Sequence, residues 1–167
     1  MNESQPNSLT VAELEAAEQA TGGESLREQF EDVLADFGET VKLPLALGED
    51  VTATFTVDDE IVVSLQYLDE SDVVIAFAPV GAFGGEDASD AGEKALELLR
   101  LNELGGPTGG FALALDEDAD LVLAMDRRSA LEIAAADSLA AWMESLVRAV
   151  RAVREHFAEK FPAKEDA

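Results

Sequence analysis

The sequence contains no cysteine and only one histidine. Without thiols the chain cannot form a disulfide or use a cysteine nucleophile, which fits a reducing compartment. No apolar run approaches the roughly 20 residues that span a bilayer, so we expect no membrane insertion. The opening segment, MNESQPNSLTV, has neither a basic region nor an apolar stretch, so it does not predict a secretory signal.

Basic residues are also scarce. Eleven lysines and arginines stand against 36 acidic residues, giving a net charge of −25. Such a chain is repelled by nucleic acid and by anionic membranes, so we predict neither as a partner. Two explanations of the acidity are favoured: solubility, as in a salty habitat, or carboxylates surrounding an apolar surface that must not self-aggregate. A third, mimicry of DNA, is less favoured because the acidic residues are scattered and not spaced in rows. With 47% hydrophobic residues in 167, the chain can fill the core of one domain.

Few residues suggest catalysis or metal binding. The acidic run at 116–120, DEDAD, is spaced like the start of a calcium loop, but Leu121 and Arg127 occupy the positions that need glycine and a bidentate acid. We interpret it as a hairpin turn. His156 lies near the end of a predicted helix and is interpreted as structural or exposed. The glycines lack a phosphate-loop context, so neither a metal nor a cofactor is expected.

Hydrophobic periodicity predicts a helix followed by three strands. Ser25 and Glu28 form a capping-box pattern, an apolar stripe follows at helical spacing, and Gly38 is expected to end the helix. Apolar residues then alternate in three short segments joined by acidic turns, which predicts an antiparallel meander. The residues expected to face the core are Val51, Ala53, Phe55, Val57; Ile61, Val63, Leu65, Tyr67; and Val73, Ile75, Phe77, with Pro79 ending the third strand.

The second half of the chain also shows helical and strand periodicity. A helix is predicted at 89–104 and a hairpin at 111–126, and a long last helix is expected to start at Asp137 or Ser138. The order is therefore α-βββ-α-ββ-α, an α+β fold with a twisted antiparallel sheet. We expect one domain at 25–161.

The two ends of the chain are expected to lie outside this domain. Residues 1–24 form an N-terminal extension with a possible short helix at 10–21, and residues 162–167 form a polar tail.

Four segments, in this order and with this charge, resemble the class I type III secretion chaperones, the family that includes the Tir chaperone. They are FEDVLADFG at 30–38, Leu98-Leu99-x-x-Asn102, TGGF at 108–111, and a last helix that carries Trp142. The resemblance covers about residues 25–160. It implies a homodimer in the bacterial cytoplasm that has no catalytic activity and uses no ATP. It also implies binding to an extended segment near the N-terminus of an effector, which keeps that effector competent for export.

Two sets of residues are candidates for these contacts. Small or apolar residues at outward strand positions are expected to bind the partner: Val62, Val74, Ala76, Ala112, Ala114 and Val122. In the family the second helix contributes to the dimer interface, which assigns to that contact Leu96, Leu101 and Leu104.

Two other functions remain open. One is an adaptor or regulator of the same fold that binds folded partners and has no role in secretion. The other, less favoured, is a small hydrolase that uses two of the many carboxylates.

Overall fold

A computed structural model describes residue 12 and residues 24–84, 88–103 and 106–162. Apart from residue 12, the helix predicted at 10–21 lies outside the described residues. The helices are α1 (Leu26–Val41), α2 (Ala91–Leu101) and α3 (Ala136–Lys160). The strands are β1 (Thr52–Val57), β2 (Ile61–Leu68), β3 (Val73–Ala82), β4 (Ala112–Asp116) and β5 (Leu121–Ser129). The predicted α+β class and element order are confirmed.

The five strands form one antiparallel sheet in the order β1-β2-β3-β5-β4. The first three make the predicted meander. The β1–β2 turn places Asp58 and Asp59 at φ 52° and 55°, the left-handed pair that a tight hairpin with strand twist requires. Strand β3 continues beyond Pro79, with a bulge between Pro79 and Gly81. It ends at Ala82, three residues later than predicted.

Helix α1 starts as predicted. Ser25 accepts a hydrogen bond from the Glu28 N–H, and the Glu28 carboxylate accepts one from the Ser25 N–H. The prediction that Gly38 ends the helix is wrong, because α1 continues to Val41 and the left-handed cap is Lys42, at φ 59°. A glycine is instead required at position 38 because the backbone of Leu43 returns close over it. The Leu43 N–H donates to the Gly38 oxygen at 2.9 Å.

Helix α3 packs on one face of the sheet, against β3 and β5, and α1 packs beside it. Under α3 the strands carry small or medium-sized side chains, which let the helix approach closely: Val74, Ala76, Ala78, Val122 and Ala124, all buried. Trp142 fills this layer and donates its indole N–H to Asp126 at 2.9 Å. The helix begins at Ala136, slightly before the predicted start, and Ser138 accepts from the Ala135 N–H at 3.2 Å.

The expected orientation of β3 and β5 is therefore wrong. The residues predicted to face the core, among them Ile75 and Phe77, lie on the opposite face and stay partly exposed. Strand β2, in contrast, buries all four predicted residues: Ile61, Val63, Leu65 and Tyr67. The described residues also include no helix with the length and apolar character needed to cross a membrane.

Candidate protein-binding surfaces

A groove of about 660 Å³ lies where the end of α1, strand β1 and the middle of α3 meet. We call it the β1 groove. Its apolar lining comes from all three elements: Phe37, Val41, Leu43, Phe55, Val57, Ala140, Met143 and Val147. Val41 and Leu43 remain 40% and 39% exposed. An apolar surface of this kind, open to water, is typical of a site that receives another polypeptide.

Strand β1 is the sheet edge beside this groove. The Gly48 N–H donates to the Thr52 oxygen at 3.0 Å, which shows that the Thr52 oxygen points away from β2. Because main-chain groups alternate in direction along a strand, those of Thr54 and Thr56 point the same way. No other strand among the described residues pairs with this side of β1. An extended peptide therefore has hydrogen-bond partners available along this edge.

The rim of the β1 groove carries balanced charges. Arg148 pairs with Glu144 at 2.9 Å, and Arg151 pairs with Asp58. Exposed pairs of this kind are worth about 0–1 kcal/mol, so incoming side chains can replace them at little cost.

The open face of the sheet, opposite α3, is apolar in its centre. Phe77 lies between Ser64 of β2 and Met125 of β5 in the register of the sheet. Five large apolar side chains on this face are only partly buried: Val73, Ile75, Phe77, Leu123 and Met125.

A second exposed surface lies at the opposite edge of the sheet. Helix α2 and the adjoining strand β4 expose three leucines there: Leu96 at 49%, Leu99 at 70% and Leu115 at 42%. We call these residues the α2 surface. The same helix buries Leu98 and Leu101, so it has one face in the core and another in solvent.

The six strand residues predicted to bind a partner divide equally. The expectation of exposure is wrong for three that are buried on the α3 side: Val74, Ala76 and Val122. Three remain on the open face, at least partly exposed: Val62, Ala112 and Ala114. Val62 lies next to the β1 edge, whereas the two alanines lie on β4. Three strand spacings, about 14 Å, separate β2, which carries Val62, from β4, so these residues do not form one small site.

The three leucines predicted for dimerisation also differ. Leu96 is exposed on α2, as that role requires, whereas Leu101 is 5% exposed and belongs to the core. Leu104 lies outside the described residues. Neither Leu99 nor Leu115 was predicted to be a contact residue, and Leu99 entered the prediction only through the motif Leu98-Leu99-x-x-Asn102. Because α2 buries Leu98 and Leu101, the intervening leucine turns toward solvent.

The sites considered for chemistry have structural roles. The acidic run at 116–120 is the β4–β5 turn, and Asp116 accepts from the Ala119 N–H at 3.1 Å. In the described part of the chain no three histidine or acidic side chains are placed to hold a metal ion. His156 lies with its Nε2 atom 2.7 Å from the Glu97 carboxylate, joining α3 to α2.

The fold is shared with several solved structures. The chain is 25% identical to the Yersinia pestis type III secretion chaperone SycH, solved with a stable fragment of YscM2. That match has a TM-score of 0.55 and covers 74% of this chain and 97% of that one. The HopA1–SchA chaperone–effector complex matches at 18% identity and TM-score 0.58, covering 77% and 95%. The ExsC–ExsE complex matches at 18% and 0.60, covering 86% and 100%.

The sequence itself gives a family assignment. No curated protein matches the chain. The family description of the Tir chaperone protein (CesT) family, however, matches residues 32–154. This segment runs from the middle of α1 through the whole sheet to the last turns of α3, so it includes all three elements of the β1 groove. The chain therefore belongs to the Tir chaperone (CesT) family.

Proposed function

We propose that this protein is a type III secretion chaperone that binds an extended effector segment along the β1 groove and keeps it competent for export. The observation that carries the proposal is an apolar groove beside a strand edge with which no other described strand pairs. A bound strand directs alternate side chains into the groove and toward Val62 on the open face. Thr54 and Thr56 supply main-chain hydrogen bonds that do not depend on the client's sequence.

This mode of binding suits a non-enzymatic carrier in the bacterial cytoplasm. Affinity comes from apolar burial in the groove, and the charge of −25 keeps a protein with exposed leucines soluble. SycH, which shares this fold, was solved in complex with a stable fragment of YscM2, and the HopA1–SchA structure is a chaperone–effector complex. The alternative of an adaptor differs in one respect: its partner would be folded, and would have no free strand to add to β1.

In the test, wild-type protein first captures a client from the native host. Limited proteolysis then maps the part of the client that is protected. We expect a protected N-terminal fragment. Binding of that fragment should be lost in Leu43→Asp and retained in Leu131→Asp, because both leucines are exposed but only Leu43 lines the groove. Recovery of intact folded proteins alone, or equal binding by both variants, would contradict the proposal.

Hydrogen exchange gives an independent test of the binding mode. The amides of Thr54 and Thr56 should exchange more slowly in the complex, because strand addition gives both a partner. The amide of Ala53, which faces β2 already, is the internal control. Unchanged exchange at both threonines in a saturated complex would exclude strand addition at β1.

We further propose that the protein is a homodimer joined through the α2 surface. This surface exposes three leucines, Leu96, Leu99 and Leu115, and a group of exposed apolar side chains is typical of an interaction site. Light scattering should give twice the chain mass of 17.7 kDa for wild type. Leu99→Asp should give the monomer mass, and Leu131→Asp should remain dimeric. A monomeric wild type would overturn this part of the proposal.

A further inference from the structure

Helix α2 is anchored by a buried carboxylate. Glu97 is only 5% exposed, and three basic side chains surround it. Its Oε1 atom lies 2.7 Å from Nε2 of His156, while Oε2 pairs with Lys160 and lies 3.3 Å from Nη1 of Arg100. Two of these basic residues, His156 and Lys160, belong to the last turns of α3. The carboxylate thus ties α2 to the end of another helix.

The N-terminal half of α2 has few other contacts that hold it in place. Asp90, at its N-cap, makes no capping hydrogen bond. The buried leucines lie in its second half, and Asn102 follows the last turn. At the start, Lys94 lies 5.9 Å from the ring of Phe161 at the end of α3. An 11-residue helix is marginal by itself, so its orientation depends on such contacts.

We infer that the Glu97 cluster, formed by Glu97, His156 and Lys160, holds α2 in the orientation that dimerisation requires. The inference rests on the proposed dimer. Glu97 is a positioning residue here: it points into the protein, about 200° around the helix from Leu99, which faces the partner. The family match ends at residue 154, so His156 and Lys160 lie beyond the segment by which the chain was assigned, whereas Glu97 lies within it.

Removing the two sides of this cluster has unequal consequences. Glu97→Gln leaves His156 and Lys160 without their carboxylate partner, but their side chains are 35% and 43% exposed, so water solvates them. Replacing both basic residues instead leaves a buried carboxylate paired with Arg100 alone, which costs more. We expect the His156→Gln, Lys160→Met double variant to unfold more easily than Glu97→Gln. Adding Glu97→Gln to the double variant should restore part of the lost stability.

The decisive experiment compares the dimer dissociation constant and the amide exchange of α2 in full-length protein. Glu97→Gln should weaken the dimer about tenfold or more and speed exchange in α2, with β2 unchanged. Glu144→Gln removes an exposed pair elsewhere on α3 and should change neither quantity. Wild-type dimer affinity in Glu97→Gln, or unchanged α2 exchange, would overturn the inference.

The two proposals fail separately. If wild type is monomeric, the dimer proposal fails and the inference fails with it as a statement about dimerisation. The exchange of α2 then still distinguishes an anchored helix from a freely packed one. If wild type is dimeric and Glu97→Gln leaves the dimer intact, only the role of the Glu97 cluster is lost.

Discussion

A Cβ atom placed on Gly38 would lie 2.5 Å from the main-chain oxygen of Leu43. No flexible side chain can relieve this contact, because the oxygen belongs to the backbone that returns over α1. We predict that Gly38→Ala destabilises the protein by about 1–3 kcal/mol, despite the better helix propensity of alanine. Urea unfolding measures the loss. Client binding should weaken as well, because Leu43 lines the β1 groove.

The matched control is Gly92→Ala on α2. A Cβ atom there has no neighbour within 4 Å, so only helix propensity changes. We expect the variant to be neutral or more stable by up to about 1 kcal/mol. Equal effects of the two substitutions would show that the approach of Leu43 to α1 does not constrain the protein.

Close packing of α3 on the sheet gives a second prediction. Ala124 is fully buried and lies opposite Ala78 beneath the helix, whereas Ala112 is exposed on β4. Ala124→Leu should cost about 1–3 kcal/mol, because the helix must move away to accept the larger side chain. Ala112→Leu should stay within about 0.5 kcal/mol of wild type. The free energy of unfolding measures both, and tolerance of leucine at position 124 would contradict the packing described.

The same alanines explain why the faces of two strands were not predictable. Strand β2 alternates apolar and polar residues over part of its length, and the four residues expected to be buried there are buried. The runs VVIAFAPV in β3 and LVLAM in β5 are apolar at every position, so periodicity of two gives no orientation. Large residues were expected inside. The close approach of α3 selects the small ones instead and leaves Ile75 and Phe77 on the open face.

The β1 groove was out of reach of sequence reasoning for a different reason. Its lining comes from the end of α1, from β1 and from the middle of α3, which are far apart in the chain. No local pattern brings Leu43, Phe55 and Val147 together. The α2 surface was partly predictable, because more leucines occur in that helix than one face can bury. The choice between Leu99 and Leu101 still required the position of the helix on the domain.

Asn102 gives a third prediction. Its side chain follows α2 and brackets the backbone of Leu113: Oδ1 accepts from the N–H at 2.7 Å, and Nδ2 donates to the oxygen at 3.3 Å. Asn102→Ala should cost about 1–2 kcal/mol and speed exchange of the Leu113 amide. Asn102→Asp keeps the acceptor for the Leu113 N–H but places a carboxylate oxygen against the Leu113 oxygen, so it should also destabilise the protein. Wild-type exchange at Leu113 in the alanine variant would show that these two hydrogen bonds do not hold β4 in place.

The pH dependence of stability gives the last prediction. Hydrogen bonds from Lys160, then from His156 and Arg100, hold the pKa of Glu97 at about 2, against an ordinary value of 4.5. Because the pKa is lower in the folded state, the ionised carboxylate stabilises the fold fully above about pH 4.5. This contribution is lost as the pH falls toward 2. The difference in unfolding free energy between wild type and Glu97→Gln should therefore shrink as the pH falls over that interval. Urea titrations at several pH values measure it, and a difference that does not change between pH 4.5 and 2 would show that the carboxylate has no such pairing in solution.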